Sequence, residues 1–212
     1  DYAFLVAALL DGYESTFNDK YLAMARELTS VMVERFWDPH AGGCFFTANN
    51  HETLIQRMKS GSDGPIPSGN AVAAMHFLRL FSLTGEQAYH DRAEKTLKLF
   101  RAEMANNGYG SAAMLNALDV YLEKPKEIVI VGGRTDPVTK DLVTKIHHTY
   151  IPNKVLILID EKSAYSLPPM AQGKTSLDGK PTVYVCHNFT CSKPVTSWAD
   201  LEPLLTYPSL DV

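Results

Sequence analysis

Cysteine is scarce in this chain of 212 residues. Cys44, Cys186 and Cys191 form an odd set at low density, which makes no disulfide framework. The count suits a reducing compartment or indifference to redox, and a cytoplasmic location is expected. Long apolar runs are missing as well. The longest is Tyr2 to Leu10, far short of the ~20 residues that span a bilayer, so no membrane partner is expected. No block of like charge occurs, and 20 Lys+Arg against 24 Asp+Glu leave a net charge of −4. Nucleic acid and anionic membranes both favour a basic surface, so neither is expected as the main partner. The chain starts at Asp1, directly in a helical pattern and with no basic stretch before the apolar run. No signal peptide is therefore expected, and a piece of a longer protein is.

What is present is an ordinary globular composition, 45% hydrophobic, 10% aromatic and 21% charged, with Gly 13 and Pro 12. A chain of this size buries roughly 70% of its unfolded surface. The first two-thirds alternates two kinds of helix. Asp1 to Thr16, Ala71 to Leu83 and Ser111 to Leu122 are apolar nearly all round. The helix after Asn18 and the helix Glu86 to Met104 carry one apolar stripe each. A helix apolar on every face is covered on every face, whereas a one-sided helix lies at the surface. The order predicts helical hairpins with inner and outer members. Tyr13, Thr16, Tyr21 and Ala25 match Phe81, Thr84, Tyr89 and Ala93 at an offset of 68, so the hairpins read as repeats, and a third copy near Tyr121 is cut short. The expected architecture is a partial (α/α) toroid or solenoid over residues 1–124, with an irregular helical bundle as the alternative.

Composition changes at Lys124-Pro125. Glu127 to Val131, a helix from about Asp136 to Tyr150, and Val155 to Ile159 read as strand, helix and parallel strand. A polar loop from Glu161 to Lys180 leads to Thr182 to Cys186, and Ser197 to Leu205 closes the chain as a helix. Residues 125–212 are thus expected to form a small three-stranded parallel α/β module, giving an α plus α/β chain overall.

The connection Trp37 to Pro67 is long for a compact helical domain, and such connections are usually functional. Arg57-Met58-Lys59 and Asp63-Gly64-Pro65-Ile66-Pro67-Ser68-Gly69-Asn70 bring two cations, an acid and an amide to the start of a buried helix. Asp38, His40, His51 and Glu52 lie in the same stretch. Paired carboxylates near cations suit proton-transfer or glycosyl chemistry, so Asp63 and Asp38 are the candidate acid/base pair. Arg57 and Lys59 would bind an anionic substituent, Asn70 would orient a hydroxyl, and Trp37, Phe45 or Phe46 would stack on a sugar. The competing structural reading pairs Asp63 with Arg57 or Lys59 and makes Ser68 and Asn70 caps and turn-formers.

Cys186-His187-Asn188-Phe189-Thr190-Cys191 ends a strand shortly before a helix. Four residues separate the cysteines where redox dithiols usually have two, and a zinc site would lack two ligands. A structural, inert reading and a thiol function both remain open there. Asn188-Phe189-Thr190 is also a glycosylation sequon, a tripeptide that arises often by chance. Gly132-Gly133 lacks the third glycine of a dinucleotide fingerprint and the lysine of a P-loop, and His147-His148 diverge on a helix. No cofactor and no metal are therefore expected.

The segments DPHAGGCFFT, RMKSGSDGPIPSGNAVAA, LTGEQAYHDRA and YVCHNFTCSKP together resemble one family. It is that of large thioredoxin-domain-containing proteins, called spermatogenesis-associated in animals, and the resemblance covers essentially the whole chain. It implies an N-terminal thioredoxin-like domain elsewhere in a longer protein, and a toroid similar to N-acylglucosamine 2-epimerases and six-hairpin glycosidases. The positions matching its motifs are Arg57, Lys59, Asp63, Ser68, Asn70, Cys186 and Cys191. Three functions follow as expectations. The first is a carbohydrate-active enzyme taking a small sugar or anionic sugar. The second is a thiol-redox module using Cys186 and Cys191 with the thioredoxin-like domain. The third is a non-catalytic scaffold. Two and a half hairpins cannot close a six-hairpin ring, so exposed apolar faces and homo-oligomers are expected of the isolated chain.

Overall fold

The first helix, α1 (Tyr2–Thr16), ends where Phe17 turns left-handed at φ 53 and its N–H reaches Tyr13 O. Asn18 then caps α2 (Asp19–Phe36), its side chain accepting from Lys20 N. The same turn recurs between α3 (Gly69–Thr84) and α4 (Gln87–Leu99). There Gly85, at φ 72, donates to Phe81 O. Thr16 and Thr84 each bond back one turn, to Gly12 O and Leu80 O. Asn18 N and Glu86 N in turn donate to those two hydroxyls. The turn's backbone and threonine partners are displaced by the 68 residues of the sequence repeat, although Glu86, unlike Asn18, makes no side-chain cap bond.

The computed structural model describes residues 1–52, 55–160, 169–188 and 190–206. They fall into two compact units, Asp1–Glu123 and Lys124–Val212. In the first, α3 packs against α1, α4 and α6 (Ala112–Glu123), while α2 backs α1. Phe77, Leu80, Leu83, Leu10 and Met114 are fully buried in this layering. Arg79 on α3 ties α1 through Asp11 at 2.8 Å and Glu14 at 3.0 Å. The single helix expected over Glu86 to Met104 is two, α4 and α5 (Arg101–Asn106), with Phe100 between them at φ −95, ψ 12. Phe100 is held there by burial with Leu97, Met104 and Met114. A 3-10 turn, Tyr109–Ser111, then leads into α6.

The second unit opens with β1 (Lys126–Val131), α7 (Pro137–His148) and β2 (Lys154–Ile159). Asp136 caps α7, accepting from Thr139 N, with Pro137 in the first turn. A 3-10 turn, Pro169–Ala171, precedes β3 (Thr182–His187), β4 (Thr190–Cys191) and α8 (Trp198–Leu205). The sheet order is β2-β1-β3-β4. β1 and β2 are parallel, but β3 runs antiparallel to β1 and β4 antiparallel to β3.

The expected fold class is corrected on both counts. The α/β unit is a four-stranded mixed sheet, not a three-stranded parallel one. A parallel strand needs a long crossover, usually a helix, which α7 supplies between β1 and β2, whereas β3 pairs antiparallel with β1, Glu127 opposite Cys186 and Val131 opposite Thr182. The strand β4 is two residues long and carries no alternation to read. No toroid is shown either: among the described residues α3 packs against α1, α4 and α6, and α2 backs α1. The polar loop expected over Glu161 to Lys180 lies partly outside the described residues, at 161–168, as does Phe189 of the sequon.

Candidate functional site

The connection between α2 and α3 folds onto the N-terminal ends of α3 and α6. Its two arms meet where Phe46 N donates to Met58 O at 2.8 Å. Asn70, buried in the first turn of α3, clamps them. Its Oδ1 accepts from Cys44 N at 2.6 Å, and its Nδ2 donates to Cys44 O and Ser60 O, both at 3.0 Å. An amide is suited to this because it donates and accepts from one planar group. Gly43, at φ 73, lets the backbone pass Asn70 and Leu99.

Asp63 sits at the junction of two helices. Its Oδ1 accepts from Ser68 N and its Oδ2 from Ala113 N, each at 2.8 Å. Its own N–H donates to Gly110 O at 2.8 Å. Ser68, the α3 N-cap, accepts from Ala71 N at 3.1 Å. One carboxylate therefore serves the positive ends of α3 and α6 together.

Asp38 and Lys59 form a half-buried ion pair at 2.7 Å, and Lys59 also donates to Gly42 O at 2.9 Å. The Lys59 hydrogen bond, helped by the amides of His40 and Ala41 and opposed by burial, pulls the Asp38 carboxyl down to about 2. Arg57 donates to Thr47 O at 2.6 Å and Arg35 O at 3.3 Å. Its guanidinium lies 4.1 Å above the Phe45 ring, which Lys59 also faces at 4.8 Å. Trp37 turns inward, edge-on to Phe77 at 6.0 Å.

The geometry thus brings Asp38, Lys59, Arg57 and Asn70 together around Phe45, and places Asp63 and Ser68 at the helix starts. Asp63 meets backbone amides rather than either cation. A proton donor at neutral pH needs a raised pKa and room for a reacting atom. Asp38 is shifted the opposite way, and both Asp63 oxygens are engaged by N–H groups. This is the arrangement of carboxylates that hold a loop in place. The aromatic rings that face solvent here are Phe46, 77% exposed, and Tyr109, 99% exposed. Tyr109 has no signal in the sequence; its position beside the loop is set by the Asp63–Gly110 and Asp63–Ala113 bonds.

Burial pushes the Cys44 thiol up to about 12, so it is unreactive at neutral pH. Cys186 and Cys191 are joined in a disulfide, with Cα atoms 3.9 Å apart on paired strands. Among the described residues no cluster of His, Cys, Asp and Glu can hold a metal ion, and no helix is long and apolar enough to cross a membrane.

Layered helical hairpins joined to a mixed α/β unit, with the α2–α3 connection folded over two helix starts, define the class of protein structurally. No family model matches the chain. It is similar to spermatogenesis-associated protein 20 of Homo sapiens, 37% identical over 209 residues and 97% of this chain. The Rattus norvegicus protein of that name is 36% identical over the same share. Uncharacterized protein B0495.5 of Caenorhabditis elegans is 26% identical over 96% of the chain. The chain spans 27% of the length of the human relative. None of these names states a reaction.

Proposed function

We propose that this chain is a carbohydrate-binding part of a longer protein, taking a neutral sugar on the surface formed by the α2–α3 connection and the turn before α6. The observation that carries the reading is that two rings, Phe46 and Tyr109, stand exposed on loops tied down by Asn70 and Asp63. Rings held on rigid loops offer flat apolar faces at little entropic cost. A neutral ligand is favoured over an anionic one because Lys59 is paired with Asp38 and one Arg57 nitrogen, Nη2, is turned to Thr47 O. The role is binding rather than acid–base catalysis, since neither Asp63 nor Asp38 is free to exchange a proton with a ligand.

The longer protein is part of the reading. The α6 residues Leu115 and Leu122 face solvent, as suits a helix covered by further chain, and the resemblance adds a thioredoxin-like domain to that chain. The test is a panel of neutral mono- and oligosaccharides against the full-length protein, by ligand-observed NMR and calorimetry. Phe46→Ala and Tyr109→Ala are expected to weaken binding about tenfold each, the size of a lost ring contact of ~1.4 kcal/mol. Melting temperatures should stay unchanged. No binding in the panel, or binding indifferent to both substitutions, overturns the proposal.

A further inference from the structure

The hairpin β3–β4 carries chemistry that the loop surface does not use. Cys186 and Cys191 are direct cross-strand partners, and the two differ sharply in access. Cys186 is 4% exposed, on a strand paired along its length with β1. Cys191 is exposed, on an edge strand of two residues. Glu127 stands opposite Cys186 on the other side. Directly opposed residues of an antiparallel ladder share a face, so Glu127, Cys186 and Cys191 form one row across three strands. The segment after the Pro169–Ala171 turn bounds that face. There Lys174 lies 5.6 Å from the Tyr184 ring, and the Tyr184 hydroxyl donates to Thr175 O at 2.8 Å.

We infer that Cys186–Cys191 is an exchange-competent disulfide, attacked at Cys191 by the thiolate of a dithiol reductant, with Glu127 exchanging the proton of Cys186. In the first step the incoming sulfur bonds to Cys191 Sγ. The Cys186–Cys191 bond breaks, its electron pair stays on Cys186, and that sulfur takes the Glu127 proton. In the second step the other thiol of the reductant, its proton lost to water, attacks the reductant's own sulfur in the mixed disulfide. Cys191 leaves as a thiolate and is protonated by water, and water restores the Glu127 proton. The chain gains two electrons and two protons, and the dithiol becomes a disulfide.

Three features support the assignment. The attacked sulfur belongs to the exposed residue of the pair, and exchange depends on access. Burial raises the Glu127 carboxyl above its ordinary range, while Lys174 and His187, the charged groups that act on it, pull it down. The register sets that carboxyl directly opposite Cys186, on the face where the shielded sulfur lies. Finally, β3 is tied independently of the disulfide. Ser192 N donates to Val185 O at 2.9 Å, and Val183 and Val195 bond in both directions at 2.8 and 3.0 Å. Opening the disulfide therefore leaves the sheet in place.

The test equilibrates the folded chain with reduced and oxidised dithiothreitol, traps thiols by alkylation and assigns them by peptide mass. Cys44, with its thiol pushed up, serves as an internal unreactive control. The expected result is full, reversible conversion of Cys186 and Cys191 with unchanged circular dichroism. Cys186→Ser should form a stable mixed disulfide with glutathione at Cys191. Cys191→Ser, leaving only the shielded sulfur, should react at least tenfold more slowly. Glu127→Gln should slow exchange at least fivefold. Reduction only on unfolding, equal reactivity of the two serine variants, or an unchanged exchange rate for Glu127→Gln overturns the inference.

Discussion

Asp38 and Lys59 hold one side of the α2–α3 connection through a single half-buried contact. The carboxyl titrates at about 2 in the folded chain against an ordinary 3.8. A group with a depressed folded pKa stabilises the fold fully above its unfolded value and loses that contribution as pH falls through the folded one. The midpoint of urea unfolding is therefore expected to decline for this reason between pH 4 and 2. In Asp38→Asn the part of the decline due to this group should be absent, and the midpoint at pH 7 should be lower than in the unaltered chain. An Asp38→Asn profile parallel to the parent's would count against the pairing. Asn70 works on the same connection by a different means, satisfying three backbone groups with one neutral side chain. Leaving such groups unmet is what makes buried polar clusters costly to disturb. Asn and Asp before a helix are legible in a sequence as turn and cap signals. Their partners, Cys44, Ser60 and Ala113, lie 10 to 50 positions away and are not.

At the scale of elements, hairpin turns and loop closure obey separate rules. The α1–α2 and α3–α4 turns were readable as a repeat because local residues make them: a threonine bonding back one turn and a left-handed residue after it. The loop closes instead by steric fit. A Cβ on Gly61 would stand 2.5 Å from the Phe100 ring, at the break between α4 and α5. Gly61→Ala is expected to destabilise the first unit by about 1–3 kcal/mol, as overpacking does, read as a lower midpoint in chemical denaturation. A midpoint equal to the parent's would mean that Phe100 moves aside freely. In the second unit Lys126 plays the closing role. Its Nζ donates to Leu204 O, Leu205 O and Thr206 O at 2.8–3.1 Å, capping the last turn of α8. Lysine at a strand start reads as an ordinary solvated charge, so that cap was hidden until the helix was in place.

For the whole molecule, charge and apolar cover set the behaviour. Twenty basic against 24 acidic residues leave −4, with an isoelectric point near 6.0. The chain is expected to pass a heparin column unretained at 0.15 M salt and pH 8, because polyanion binding needs a basic surface. Retention there would reveal a basic patch that the net charge conceals. The helix α6 is apolar nearly all round, yet only its Met114, Ala117 and Val120 side is buried, and Leu115 and Leu122 stay open. The all-round pattern predicted full cover. Among the described residues α3, α4 and α5 supply cover on one side only, and the chain spans 27% of its human relative's length.

By itself, the amino-acid sequence determined most of the helix spans, the repeat of 68 and the change of composition at Lys124-Pro125. All of these follow from neighbours within a few turns of chain. Only the tertiary structure decided the direction of β3, the existence of β4 and the work of each charged residue in the loop. Strand direction depends on how the chain returns to the sheet, and a carboxylate's role depends on which distant N–H or cation reaches it first. A motif such as Arg57-Met58-Lys59 with Asp63 looks the same whether its charges await a ligand or hold two helix starts together. The long-range bonds to Asn70, Asp63 and Asp38 are what distinguish the two.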